Sequence, residues 1–422
     1  MFNRESSDKL LTLIEELGAK RGINLPPPDP LPEQQHVYEK YVRSMNYDPD
    51  SVDRMIEMGR IPEQQRGMIH GMLLNGLIKS DSMSDSDLKA LLVLVRMVFS
   101  EQRATGLLRT VSAPILRYAR AANPAIDRPL SLGVFPLRWF NGQSTLFENT
   151  AMCLVATGAF DLIEIFSTLF DARRKDPTYA VQHMRKALDN YVRTGEVASA
   201  EYELASGLVD FGDVSRIGVL LTTSAEEFLV SHELGHVALG HIDRASRGAM
   251  PLQAKPRPAN WLDRLRGRTP VPEQTITVIQ PKHVEEHCAD VWALKTVLDV
   301  AKSSTKEAEE KQAIACGGAA AFLGLALLTE AASRHAGSGM EDSHPPALTR
   351  LYIVEVAFEL VGQHENAFVA RRVREFVEEI GAGYRDFEMP PMLDRSLNKT
   401  AACVFEQLGF DLSKAPYITD FQ

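Results

Sequence analysis

At 422 residues the chain is longer than one ordinary domain and long enough for two or three. A hydrophobic fraction of 45% excludes wholesale disorder, and a net charge of -10 argues against a nucleic-acid-binding surface, because phosphate recognition needs basic groups. The cysteines, Cys153, Cys288, Cys316 and Cys403, form no CxxC pair and no disulfide framework, which fits a reducing compartment.

Residues Asp8 to Lys20 read as a helix ended by Gly22. The run Leu25-Pro26-Pro27-Pro28-Asp29-Pro30-Leu31-Pro32 follows as a stiff extended linker. The N-terminus has no basic start followed by an apolar stretch, so no signal peptide is expected and the protein is read as cytoplasmic. From Glu33 to Ala122 helical patterns dominate, with Leu88, Leu91, Leu92, Leu94, Val95 and Val98 making the clearest apolar stripe. Asn123-Pro124 and Arg128-Pro129 break the pattern, and Ser131 to Thr157 has β-like character, carried by Gly133-Val134-Phe135 and then Met152 to Ala156. Phe160 to Phe170 and Tyr179 to Val192 read as helices. Arg216 to Thr223 fits either a short strand or a buried helix.

Ser224-Ala225-Glu226-Glu227 has the form of a capping box, predicting a helix from there to about Gly240. Asp243 to Lys282 reads as a long insertion rich in Pro, Gly and Arg, a candidate lid or a surface insertion. Between Arg244 and Arg268 it holds Arg244, Arg247, Lys255, Arg257, Arg264, Arg266 and Arg268 against Asp263 alone, and Thr275 to Gln280 alternates like a strand. Helical patterns return in His283 to Val300, Lys311 to Arg334, Pro346 to Gly362 and Asn366 to Ile380. The apolar run Ala313 to Leu328 is shorter than the roughly 20 residues that span a bilayer and reads as a core helix; no membrane span is expected. The fold class is mostly α with a small β element. The organisation expected is an N-terminal helical region over 1–125 with its Pro-rich linker near 25–32, a second domain over 126–385 with the insertion 243–282, and a C-terminal extension over 386–422.

The chemistry sits in three blocks. His232 and His236 of His232-Glu233-Leu234-Gly235-His236 are four apart, so on a helix they lie about 40° apart on one face, one turn separated. Two imidazoles so placed can bind one tetrahedral zinc, and Glu233 beside them suits a general base. The flanks, Phe228, Leu229, Val230, Val237, Ala238 and Leu239, are apolar, and an apolar helix that buries two histidines and a glutamate needs something polar to satisfy them. A third ligand is expected from Glu286-His287-Cys288-Ala289-Asp290. Glu286 is the candidate, with His287 the alternative, and Asp290 is placed to hydrogen-bond the far nitrogen of a ligand histidine. His241 would face away from His232 on a continuous helix and is not read as a ligand; Cys288 reads as a packed small side chain. In the third block, Ser343-His344-Pro345-Pro346 with Arg350, the proline suits a first helical turn. His344 at the helix entrance is placed to donate to a developing oxyanion. Arg350 can bind a carbonyl or clamp an acidic side chain.

The ordered set His232-Glu233-x-x-His236, Glu286-x-x-Ala289-Asp290 and Ser343-His344-Pro345-Pro346 with Arg350 resembles the M48-like gluzincin zinc metallopeptidases, over roughly residues 220–355. The resemblance implies a zincin-like metallopeptidase core holding Zn2+ on His232, His236 and Glu286. It makes Glu233 the catalytic base and Asp290 a support for a ligand, with His344 and Arg350 serving the active site on protein or peptide substrates. Two departures stand out: the membrane helices common in that family are not evident, and the insertion before Glu286 is long. A divergent soluble branch, such as a phage-exclusion or bacterial-defence protease, is open, as are another zinc hydrolase, a catalytically inactive zinc-binding module and a helical interaction module. Oligomeric state is not legible.

Overall fold

The computed structural model describes residues 16, 19–22, 103–135, 140, 142–194, 216–245, 281–303, 308–337, 345–361, 367–390 and 395–412. The stripe at 88–98, the Pro-rich linker, most of the insertion, its strand-like segment and His344 lie outside these residues.

The architecture is mostly helical with one small sheet. The elements in chain order are α1 (Arg103–Ala122), β1 (Leu130–Phe135), β2 (Gly142–Phe147), β3 (Thr150–Ala156), α2 (Thr157–Ala172), α3 (Pro177–Thr194) and α4 (Arg216–Ala238). They continue with the short α5 (His241–Ala245), then α6 (Pro281–Lys302), α7 (Ala308–His335), α8 (Ala347–Leu360), α9 (Phe368–Gly381) and α10 (Arg395–Gln407).

The sheet order is β1-β3-β2, with β1 parallel and β2 antiparallel to β3. Every residue of β3 is buried, as expected of a central strand covered on both faces. The β2–β3 connection is a two-residue turn in which Glu148 and Asn149 both have positive φ, 46° and 65°. That backbone matches the right-handed twist of a hairpin, and Asn tolerates it well. β2 lies inside the stretch Ser131 to Thr157 read as β-like, but it carries no run of strong strand formers to mark its bounds.

α4 is the axis of the fold. Phe228, Leu229, Val230, Leu234 and Val237 are each 1% exposed or less, so the helix is apolar nearly all round and enclosed by its neighbours. It starts at Arg216 rather than at Ser224, so the expected capping box falls inside the helix. Leu221 continues the buried face, and Ser224 meets the Gly318 backbone of α7. A Cβ on Gly318 would come within 2.6 Å of the Ser224 carbonyl carbon and 2.7 Å of the Ala225 nitrogen, so only glycine lets these two helices approach so closely. α7 is long and apolar enough to cross a membrane, yet 89% of its most apolar window is buried by the rest of the protein. One apolar core links Ile115 of α1, the sheet, α4, α6 to α9 and Phe405 of α10.

Candidate metal centre

The floor of the site is the contact between α4 and α6. At Gly235 an added Cβ would lie 3.2 Å from the Ala289 Cα and carbonyl oxygen. The missing side chain lets α6 come close enough for Glu286 to reach the histidine face of α4. His232 Nε2 lies 3.2 Å from His236 Nε2 and 3.4 Å from Glu286 Oε2, and His236 Nε2 lies 3.4 Å from Glu286 Oε1. These three residues form a group able to hold a metal ion. Ligands about 2.0–2.1 Å from a tetrahedral zinc are separated by roughly 3.3 Å, so the three edges fit that geometry.

Asp290, one turn beyond Glu286, is fully buried. Its Oδ1 lies 2.8 Å from His232 Nδ1. From α8, Arg350 donates through Nε to Oδ2 at 2.8 Å and through its terminal nitrogen to Oδ1 at 2.7 Å. The guanidinium therefore clamps an acidic side chain of the site, one of the two roles its position suggested. Burial alone would raise the Asp290 carboxyl, but Arg350 and His232 hold it well below the usual carboxylate range. Burial works against a charged His232, yet Asp290 and Glu286 outweigh it and push that imidazole up to about 10. His236 is pulled down to about 3, chiefly by burial.

Glu233 is 2% exposed, and burial pushes its carboxyl up to about 7. It meets β2. Ser144 Oγ lies 2.7 Å from Glu233 Oε2 and 2.8 Å from its carbonyl oxygen. A methyl group on Gly142 would overlap the carboxylate. Neither Ser144 nor Gly142 was singled out from the sequence. They lie some ninety residues upstream on another element, so no local signal ties them to the site.

His241 is a further addition. It heads α5, and its Nδ1 lies 3.0 Å from His236 Nδ1. His287 is 1% exposed, outside the three-residue group, and its Nδ1 has no hydrogen-bond partner among the described residues. Burial lowers it to about 4. Cys288 packs away from the site, with its thiol 3.5 Å from Gln407 Oε1.

Comparison with known proteins gives one family. Residues 212–370 match the family model described as Peptidase U49, a stretch that contains His232, Glu233, His236, Glu286, Asp290, His344 and Arg350. No curated protein and no solved structure matches the chain. Over the stretch that carries its candidate metal centre, the chain is thus similar to a peptidase family, and this similarity points to a peptidase.

Proposed function

We propose that the chain is a zinc-dependent endopeptidase of the gluzincin kind, acting on protein or peptide substrates in the cytoplasm. The observation that carries this reading is the convergence of His232, His236 and Glu286 at tetrahedral spacing beside a buried glutamate. A zinc held there would lower the pKa of water and polarise the scissile carbonyl. Glu233 takes the proton of the attacking water and passes it to the leaving amine. Its buried carboxylate stands beside the two histidines on the same helix, where a general base is needed. Ser144 aims the carboxylate, and Asp290 fixes the ring of His232 with its metal-binding nitrogen inward. His344, just before α8, is assigned the oxyanion-donor role by resemblance, and Arg350 acts through Asp290.

Two measurements test the reading. Plasma mass spectrometry of the purified chain should give one zinc in the wild type and a sharp loss in Glu286→Ala. Well-folded wild type that takes up no supplied zinc would end the peptidase proposal. Glu233→Gln should keep its zinc and lose nearly all hydrolysis of an unfolded protein substrate such as casein. Retained turnover in that variant would remove Glu233 from the role of base.

A further inference from the structure

We infer that His241 is a positioning residue: it orients His236 and selects the tautomer in which that ring binds metal. The inference rests on the proposed metal centre. His236 turns Nε2 toward His232 and Glu286, at 3.2 and 3.4 Å. A nitrogen that offers a lone pair to a metal carries no proton, so the proton of His236 sits on Nδ1. The polar atom facing it is His241 Nδ1, at 3.0 Å. His236 therefore donates and His241 accepts, which places the His241 proton on its own Nε2. The rings meet nearly edge to face, with centroids 5.1 Å apart and planes inclined by 67°, so packing holds the same orientation as the hydrogen bond.

The backbone is shaped for this contact. Five residues along an unbroken helix, His241 would stand roughly 140° round from His236. α4 instead ends at Ala238, and Gly240 takes a left-handed φ of 69°, which turns the chain back. Two outside contacts pin the turn. Asn123 Nδ2 donates to the Ala238 carbonyl at 3.2 Å, and Arg128 binds both carboxylate oxygens of Asp243 at 3.0 and 3.1 Å. His241 itself is 8% exposed, so its polar ring is buried against its neighbour rather than solvated. Each of the two histidines thus has its outer nitrogen facing a polar atom: an Asp290 carboxylate oxygen at 2.8 Å for His232 and the His241 Nδ1 at 3.0 Å for His236.

The test compares zinc affinity, by competition with a chelator, and the visible spectrum of the cobalt-substituted protein. The variants are His241→Leu, His241→Asn and His241→Gln. In Asn the side-chain oxygen stands where His Nδ1 stands; in Gln it stands one bond further out. Loss of an outer partner typically weakens metal binding by about 10–100-fold. That loss, with an altered cobalt spectrum, is expected for Leu and Gln, whereas Asn should stay near wild type. Equal affinity in all four proteins overturns the inference, and so does equal weakening of Asn and Gln, which would mark a packing effect. The Asn–Gln comparison still decides the matter if Leu does not fold. Glu286→Ala in the same assay separates the two levels. If it binds as wild type does, or if wild type binds no zinc, the metal centre itself fails and the inference with it. If Glu286→Ala loses zinc while Leu and Gln do not, only the role of His241 falls.

Discussion

Asp290 shows how much of this site depends on charges placed out of water. Its carboxylate is fully buried and has a fixed cation, Arg350, gripping both oxygens. Burying such a pair gives little net stability, but breaking it strands a charge, at a cost of about 3–5 kcal/mol. Arg350→Met should therefore lower the unfolding free energy by roughly that amount in denaturant titrations, and it should also loosen His232 and weaken zinc binding. Arg350→Lys restores the charge but not the two-pronged geometry, so it should recover only part of the loss. A stability change near zero for Arg350→Met would mean that Asp290 is solvated or protonated, contrary to the geometry. Two of the site's partnerships were legible at this scale, because His232/His236 and Glu286/Asp290 each recur one helical turn apart. Ser144 was not, since its contact with Glu233 arises only when the sheet packs on α4.

Between elements, the metal centre is set by how closely α4 and α6 approach. Gly235 stands at their contact, and an added Cβ would meet the Ala289 Cα and carbonyl oxygen and the Trp292 ring, each at 3.2 Å; the two backbone atoms cannot swing aside. Gly235→Ala should therefore push the helices apart by a few tenths of an ångström. A metal site tolerates deviations of only about 0.2 Å in its bonds. We expect zinc affinity to fall, by roughly tenfold, while the melting temperature of the metal-free protein moves little. If affinity is unchanged, the α4–α6 spacing does not control the site. The same reasoning explains what sequence periodicity missed. Both strand-like runs and most helices could be read from local patterning. The start of α4 could not, because Ser224 has the form of a cap but serves instead to nest Gly318 of α7. His241 was misplaced for a related cause: its position depends on the Gly240 turn rather than on continued helical geometry.

Across the whole molecule, one core ties the sheet to the helices that frame α4, so a penalty placed on α4 is felt in global stability. Glu227, a turn before His232, carries such a penalty. Burial pushes its carboxyl from 4.5 up to about 7, against the pull of Lys311. Below about pH 4.5 the group is protonated in both folded and unfolded chains and contributes no pH dependence. Between 4.5 and 7 the folded chain holds the proton more tightly, so the unfolded state binds fewer protons and stability falls as pH rises. Above 7 the full cost of a buried charge remains. Glu227→Gln abolishes this titration. Its melting temperature should match wild type near pH 4 and exceed it by several degrees at pH 8, with the gap opening across the interval between the two pKa values. Both proteins should be compared in the same metal state, because any metal held between α4 and α6 would stabilise the folded form by mass action. A gap that is constant with pH would assign the difference to packing. A gap that closes as pH rises would mean that Lys311, rather than burial, dominates the environment of Glu227 and that the carboxylate stabilises the fold.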